Sequence, residues 1–380
     1  MKHGLRSLPL VVCGILAVSA IAATAWWPES NSRSQQLQSE RWPQPAPQLS
    51  GAPEDWLNTN GRPLDLRNLA NTHHVVLIDF WEYTCVNCLR TLPYLEEWNR
   101  RYAKDGLVII GIHAPEFQFA HSIANVAAAV KRLGITYPVL VDSQYVNWNL
   151  FRNSYWPRHY LVDWRDLIVA DHSGEGGYRE TELEIQRLLH QIHPTLHFPP
   201  PMSPVHSSDK AGAVCYPMTP ELYVGSRGAE EGQHGNLDPW QPGHTQLFVD
   251  PGVPHDDGEV YANGLWTQEL ESLQHARHTT DLSDYIALKY HALQCNAVIK
   301  PETGKPFMLF VAQDNLPVPK ADAGADLKYD NTGNSYLLVD QPRMYYVIKN
   351  RKFGYHELRL ATRSPGFGLY SFTFTSCEEP

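Results

Sequence analysis

The 380-residue sequence predicts an α/β domain followed by an all-β sandwich of jelly-roll type. Three observations carry this reading. Between residues 51 and 193, short apolar strand-like runs alternate with stretches of helical spacing. From residue 215 onward, short runs with period-two alternation recur between Gly, Asn and Asp turns. Two polar, Pro-rich stretches, 28–50 and 194–214, bound these blocks.

The elements follow in chain order. Residues 1–27 place Lys2 and Arg6 ahead of an apolar run from Leu8 to Trp27. At about 20 residues that run is near the length that spans a bilayer. Basic residues before it stay on the cytoplasmic side, so the body of the protein is expected outside the cytoplasm. Ala23-Thr24-Ala25 offers a cleavage site, and both a signal peptide and an uncleaved anchor fit. Residues 28–50 are expected to form a tether. "HVVLIDFW" (74–81) is an apolar strand, and 86–106 has helical spacing closed by Gly106. "LVIIGIHA" (107–114) is a second buried strand, followed by a helix over 122–134. Strands at 137–142, 158–163 and 167–174 and a helix at 179–193 complete an α/β sheet covered on both faces. Residues 194–214, with three prolines at 199–201, are expected to form a stiff spacer. The strand-like runs of 215–380 include "TQLFVD", "DYIALKYHA", "CNAVIKP", "FMLFVAQ", "RMYYVIKN" and "LYSFTFTS".

Composition narrows the function. Hydrophobic residues make up 43% and charged residues 19%, enough apolar material for two cores. The formal net charge of −10 argues against nucleic acid as a partner, because phosphate binding needs clustered Lys and Arg.

Of six cysteines, Cys13 lies in the apolar N-terminal run, and Cys85 and Cys88 form a C-x-x-C within "LIDFWEYTCVNCLRTLP" (77–93). Three readings compete. Structural zinc needs four ligands, and only one C-x-x-C is present. A structural disulfide across so small a loop would stabilise little. Redox exchange fits the position between strand and helix, where a helix N-terminus favours a thiolate at Cys85. Cys85 then attacks a partner disulfide and Cys88 resolves the mixed disulfide. Outside the cytoplasm at least one bridge among Cys215, Cys295 and Cys377 is expected, leaving one thiol unpaired. Cys215 and Cys377 flank the β-domain, and the ends of a sandwich often meet.

Residues 74–93 resemble thioredoxin-like proteins, in which an apolar strand runs through Asp-Phe-Trp into a C-x-x-C. The resemblance implies a thioredoxin fold over 51–193 and a redox-active Cys85–Cys88 disulfide. It makes Asp79 a candidate proton acceptor for Cys88, against the plainer reading of a strand-end Asp with a local hydrogen bond. Trp81 matches the family's aromatic near the site. Thr84 stands where thioredoxin itself has Trp. In "SYWPRHYLVD", Pro157 is the implied cis-proline, and Trp156 is expected to line the substrate groove with Trp81, Thr84 and Glu116. The extra helix and strand between Cys88 and Pro157 are similar to those of TlpA/ResA-like extracytoplasmic reductases. There "GIHAPEF" falls near the site, and Glu116 is a candidate modulator of the cysteines or a solvated loop residue.

"WEYTCVNCLRTLPYLEEW", "GIHAPEF", "YWPRHYLVD" and, in the second half, "TPELYVGSRG" and "LYSFTFTSC" look like the extracytoplasmic part of DipZ-type proteins. Those join a thioredoxin-like domain to a β-sandwich similar to a carbohydrate-binding module. They also carry a polytopic CcdA-like membrane part. One candidate span is visible here, so a separate membrane electron donor is expected. The implied function is thiol–disulfide oxidoreduction on disulfide-containing proteins, with reduction the favoured direction and no cofactor or metal. The alternative is a glycan- or wall-binding protein, with Tyr216, Trp240, Tyr261, Trp266, Tyr345 and Tyr346 as candidate sugar platforms or plain core.

Overall fold

The computed structural model describes residues 42–378. The expected targeting segment 1–27 and most of the 28–50 tether lie outside the described residues. Among the described residues, no helix is long and apolar enough to cross a membrane.

The first sheet contains β1 (Gln44–Pro45), β2 (Trp56–Leu57), β3 (Val75–Trp81), β4 (Leu107–His113), β5 (Val139–Val141), β6 (Arg158–Val162) and β7 (Leu167–Ser173). Its order is β1-β7-β6-β3-β4-β5-β2. β3 runs parallel to β4, and β4 to β5, while β6 and β7 are antiparallel. The helices are α1 (Leu66–Asn71), α2 (Val86–Tyr102), α3 (Ile123–Leu133), α4 (Val146–Leu150) and α5 (Tyr178–Ile192). β3 is buried along its whole length, so its two faces serve two layers. Val75, Leu77 and Trp81 join a core with α2, α3 and α5. Phe80 points to the other face, among Trp148, Phe151 and Tyr160. This is a thioredoxin fold with a mixed sheet.

One difference from expectation lies at its start. The end of the expected tether is part of the sheet, because β1 pairs with β7 and Ala46 is buried. Gln48 and Ser50 are also fixed, by Asp166 and Asn147.

The second region contains β8 (Val214–Cys215), β9 (Leu222–Tyr223), α6 (Ser226–Glu230), β10 (His244–Phe248), β11 (Val260–Gln268), β12 (Leu273–His275), β13 (Tyr285–His291) and β14 (Gln294–Pro301). It continues through β15 (Phe307–Gln313), β16 (Leu316–Pro317), β17 (Leu327–Tyr329), β18 (Ser335–Val339), β19 (Arg343–Lys349), β20 (Tyr355–Ala361), β21 (Phe367–Thr375) and β22 (Cys377–Glu378). Its main path is β17-β18-β15-β20-β13-β11-β12-β21-β14-β19, all antiparallel. The path changes sheet within β11. Val260–Asn263 pair with β13, and Trp266–Gln268 pair with β12. Gly264 sits between, at φ +105°, and a Cβ there would meet the Asp284 carboxyl at 2.2 Å. The two halves share one core, with Leu273, Ala297 and Phe372 from one and Leu288, Leu309 and Leu358 from the other.

β8 pairs with β22, and Cys215 and Cys377 form a disulfide across that pair. Cys295 is the buried, unpaired thiol of the three. The glycan-platform expectation fares differently: Tyr261, Trp266 and Tyr345 are buried in the sandwich, and Trp240 donates its indole N–H to the Glu269 carbonyl. Sandwich cores need large apolar side chains, and these aromatics supply them.

The two regions are in contact. Tyr223, Val298, Met344 and Tyr370 of the second belong to the core of the first. Tyr370 meets Phe117 and Phe119 edge-on at 5.4 and 4.9 Å. The 194–214 segment also departs from a free spacer. It lies along α2, where the Tyr94 hydroxyl donates to Asp209 and accepts from the Val205 N–H.

Candidate active site

The strand-to-helix junction after β3 builds the site. Cys85 is the N-cap of α2, with extended backbone, and its Sγ accepts from the Cys88 N–H at 3.2 Å. That geometry places Cys88 in the first turn, with its Sγ 2.7 Å from Cys85 Sγ and no disulfide between them. Cys85 is half-buried and Cys88 is buried, so the first cysteine is the more accessible of the two.

Electrostatics differ from the sequence expectation. Burial is the largest cause lifting the Cys85 thiol above its ordinary value. Bonds from the Cys88 thiol and N–H pull it down, and the Glu116 and Glu82 carboxylates push it up. The helix N-terminus therefore does not dominate here. Cys88 is raised further, by burial first, then by the neighbouring Cys85, with Asp79 adding to it.

Asp79 lies on β3, on the face that Leu77 and Trp81 share, and is 1% exposed. Neither carboxyl oxygen has a hydrogen-bond partner. His159 of β6, register partner of Asp79, holds its Nε2 3.3 Å from Oδ1 without hydrogen-bond alignment. The local hydrogen bond of the plainer sequence reading is therefore absent.

The Trp156–Pro157 peptide is cis. Pro157 immediately precedes β6, whose Arg158 pairs with Phe80 of β3, so it sits at the strand ends from which the dithiol loop leaves. Trp156 packs against Trp148 at 4.4 Å between ring centroids. Trp81 and Thr84, expected along the groove, are buried and support it from beneath. Trp81 packs beside His113, and Thr84 donates its N–H and hydroxyl to Glu82.

Glu116, after β4, is where the second region enters. The Tyr223 hydroxyl donates to its Oε1 at 2.6 Å, and Arg227 lies 3.9 Å from the same oxygen. Burial and then the Glu221 carboxylate push the Glu116 carboxyl up to about 8, against the pull of Tyr223. The solvated-loop reading of Glu116 is thus set aside. Sequence reasoning missed Tyr223, Arg227, His159 and the buried Glu82–His113 pair, whose Nε2 and Oε1 are 3.6 Å apart. Nothing local marks them; the signal for His159 was its place two residues after Pro157 in a strand expected beside β3.

Comparison with known proteins agrees with the two-part architecture. Residues 44–149 match the Redoxin family, and residues 219–375 match a thioredoxin-like C-terminal domain. The chain is similar to DipZ of Mycobacterium tuberculosis (strain CDC 1551 / Oshkosh), with 31% identity over 331 residues. That alignment takes in 87% of this chain and 42% of DipZ, so the chain spans less than half of that relative. It is similar also to the thiol-disulfide oxidoreductase YkuV of Bacillus subtilis (strain 168), at 27% identity over 38% of this chain and 95% of YkuV. Among solved structures, a thiol:disulfide interchange protein of the thioredoxin family from Chlorobium tepidum TLS aligns over 39% of this chain and 97% of its own, with 20% identity and a TM-score of 0.32. With a C-x-x-C at the head of α2, a cis-proline before β6 and these two matched domains, the chain carries a Redoxin-type domain and a thioredoxin-like C-terminal domain and is similar to thiol–disulfide oxidoreductases.

Proposed function

We propose that this protein reduces disulfides in other proteins outside the cytoplasm. The observation that carries the reading is the partly accessible Cys85 against the buried Cys88, sulfurs 2.7 Å apart, at the start of α2. Cys85 attacks the substrate disulfide, and one substrate sulfur leaves as a thiolate. Cys88 then attacks Cys85, forming the Cys85–Cys88 disulfide and releasing the second substrate sulfur. Asp79 takes the Cys88 proton, and Pro157, Trp156 and Glu116 shape the surface beside Cys85. The raised Cys85 thiol favours reduction over oxidation. A thiol that ionises reluctantly gains little from staying reduced, so the pair gives up its electrons readily. Each cycle leaves the pair oxidised, and a separate membrane electron donor of the CcdA-like kind restores it. The export reading rests on Lys2 and Arg6 before the apolar run and on the Cys215–Cys377 disulfide, which persists in oxidising compartments.

The test is the redox state of Cys85 and Cys88 in cells, read by acid quenching and mass-tag alkylation. A mostly reduced pair, with mixed disulfides accumulating in Cys88→Ala, is the expected result. A mostly oxidised pair that traps no partner sinks the reading.

A further inference from the structure

We propose that His159 and His172 form a proton exit joining Asp79, and through it Cys88, to a cleft between β7 and α5 on the same face of the sheet. The inference rests on the exchange reaction proposed above and adds to it the route of one proton.

Four buried polar atoms carry it. Both Asp79 oxygens and both His159 ring nitrogens lack hydrogen-bond partners, and the two side chains approach to 3.3 Å. A native core satisfies its polar groups, so facing groups left unpaired point to transferable protons or to water. His172 is the register partner of His159 on β7, and their ring centroids are 6.4 Å apart. Its Nε2 is likewise buried and unpartnered. A cavity of about 170 Å³ opens beside both rings, lined by His159, His172, Asp171, Thr181, Glu180 and Glu184. The volume admits several waters, since one takes about 30 Å³ of liquid. α5 leaves that space open at Gly177, where a Cβ would stand 2.7 Å from the His172 ring.

The charged groups around this line come from strands β3, β6 and β7 and helices α2 and α5. Asp79 is on β3 and Cys88 on α2, with the Tyr137 hydroxyl close enough to feel both. Asp171 on β7 is paired with Arg158, and Glu180 and Glu184 stand at the mouth on α5. Trp98 closes the remaining side of His159 at 6.5 Å. Burial and the nearby His159 lower the His172 pKa, which keeps its ring neutral and able to accept.

With Cys85 joined to a substrate sulfur, the Cys88 thiol gives its proton to Asp79. The Cys88 thiolate attacks Cys85 Sγ, the Cys85–Cys88 bond forms, and the Cys85–substrate bond breaks with its electron pair on the substrate sulfur. The proton on Asp79 passes to His159, and from there through His172 and the cleft water beside it to solvent. His159 acts through Asp79 and is a positioning and relay residue.

The test uses the reduced full chain with 5,5′-dithiobis(2-nitrobenzoate) in a stopped-flow instrument. One thionitrobenzoate leaves when Cys85 attacks and a second when Cys88 resolves. His159→Gln is expected to slow the second release about tenfold and leave the first unchanged. His172→Gln, at the half-exposed mouth, is expected to slow it in the same sense by less, and serves if His159→Gln does not fold. In His159→Ala, added imidazole is expected to restore the second release in proportion to its neutral fraction across pH 6–9. A second release at the unsubstituted rate in either folded Gln variant overturns the proposal. So does a slow release that imidazole leaves untouched, because a merely structural histidine gives that result. If the unsubstituted protein releases nothing from Cys85, the exchange reading itself fails, and that outcome is distinct from both.

Discussion

Asp79 and Glu116 flank the same pair of sulfurs in opposite surroundings. Asp79 is 1% exposed, has no hydrogen-bond partner, and faces His159 within the α/β region. Glu116 accepts a 2.6 Å bond from Tyr223 and lies near Arg227, both from the β region. The difference teaches how one functional group takes two jobs. A carboxylate whose lone pairs are unclaimed keeps its capacity to accept a proton. One that is held by a neighbour's hydroxyl acts, once ionised, as a charge on the group beside it, here Cys85.

The comparison can be broken in a definite order. Cys85→Ser removes its shared target, and disulfide exchange should vanish, while Cys88→Ala should keep the first step and accumulate mixed disulfide on non-reducing gels. Residual turnover in Cys85→Ser would show that another thiol does the chemistry. Asp79→Asn comes next. It should slow resolution by about a hundredfold with the first step intact. Equal slowing of both steps would erase the distinction between the two carboxylates.

Glu116→Gln should act on the other sulfur. Its charge raises the Cys85 thiol, and with the carboxyl near 8 that charge is mostly absent at pH 7, so its loss should speed iodoacetamide alkylation of Cys85 several-fold above pH 8 and little at pH 7. The sign with pH is set by the Glu116 carboxyl near 8. As pH rises through that value its negative charge grows and resists Cys85 ionisation. The unsubstituted protein should therefore show a flatter alkylation profile above pH 8 than Glu116→Gln. Identical profiles would remove Glu116 from the site.

Tyr223→Phe should have the smallest effect on exchange. Removing the hydroxyl removes a bond that favours the Glu116 carboxylate, so that carboxyl should rise further. The lost bond should cost about 1–3 kcal/mol of stability in denaturant unfolding. Unchanged stability and alkylation would reduce the contact between the two regions to packing alone.

Much of this was legible in the chain. Strand β3, its turn into α2, and the spacing of Cys85 and Cys88 are local, and the hydrophobic run and helix-like stretch mark them directly. Pro157 was legible through the family pattern, because the residue type and the strand after it travel together. Other parts were not. β1 and β2 are two residues each, too short for any periodicity. The 194–214 segment looks like a linker by composition, yet it lies on α2 because Tyr94 offers both a donor and an acceptor there.

The chain alone thus marks where the C-x-x-C dithiol stands, the order of the elements around it, and the two fold classes that frame it. Those follow from neighbours in the chain, through strand alternation, helix spacing and capping. Only the tertiary structure decided what surrounds the sulfurs: His159 across the sheet from Asp79, Tyr223 on Glu116, and the burial that lifts both thiols. It also decided that Cys215 pairs with Cys377 and leaves Cys295 alone. Such contacts join residues tens to more than a hundred positions apart, and a local pattern holds no record of them. Burial and charge act through space, so the thiol energetics are a property of the packed fold.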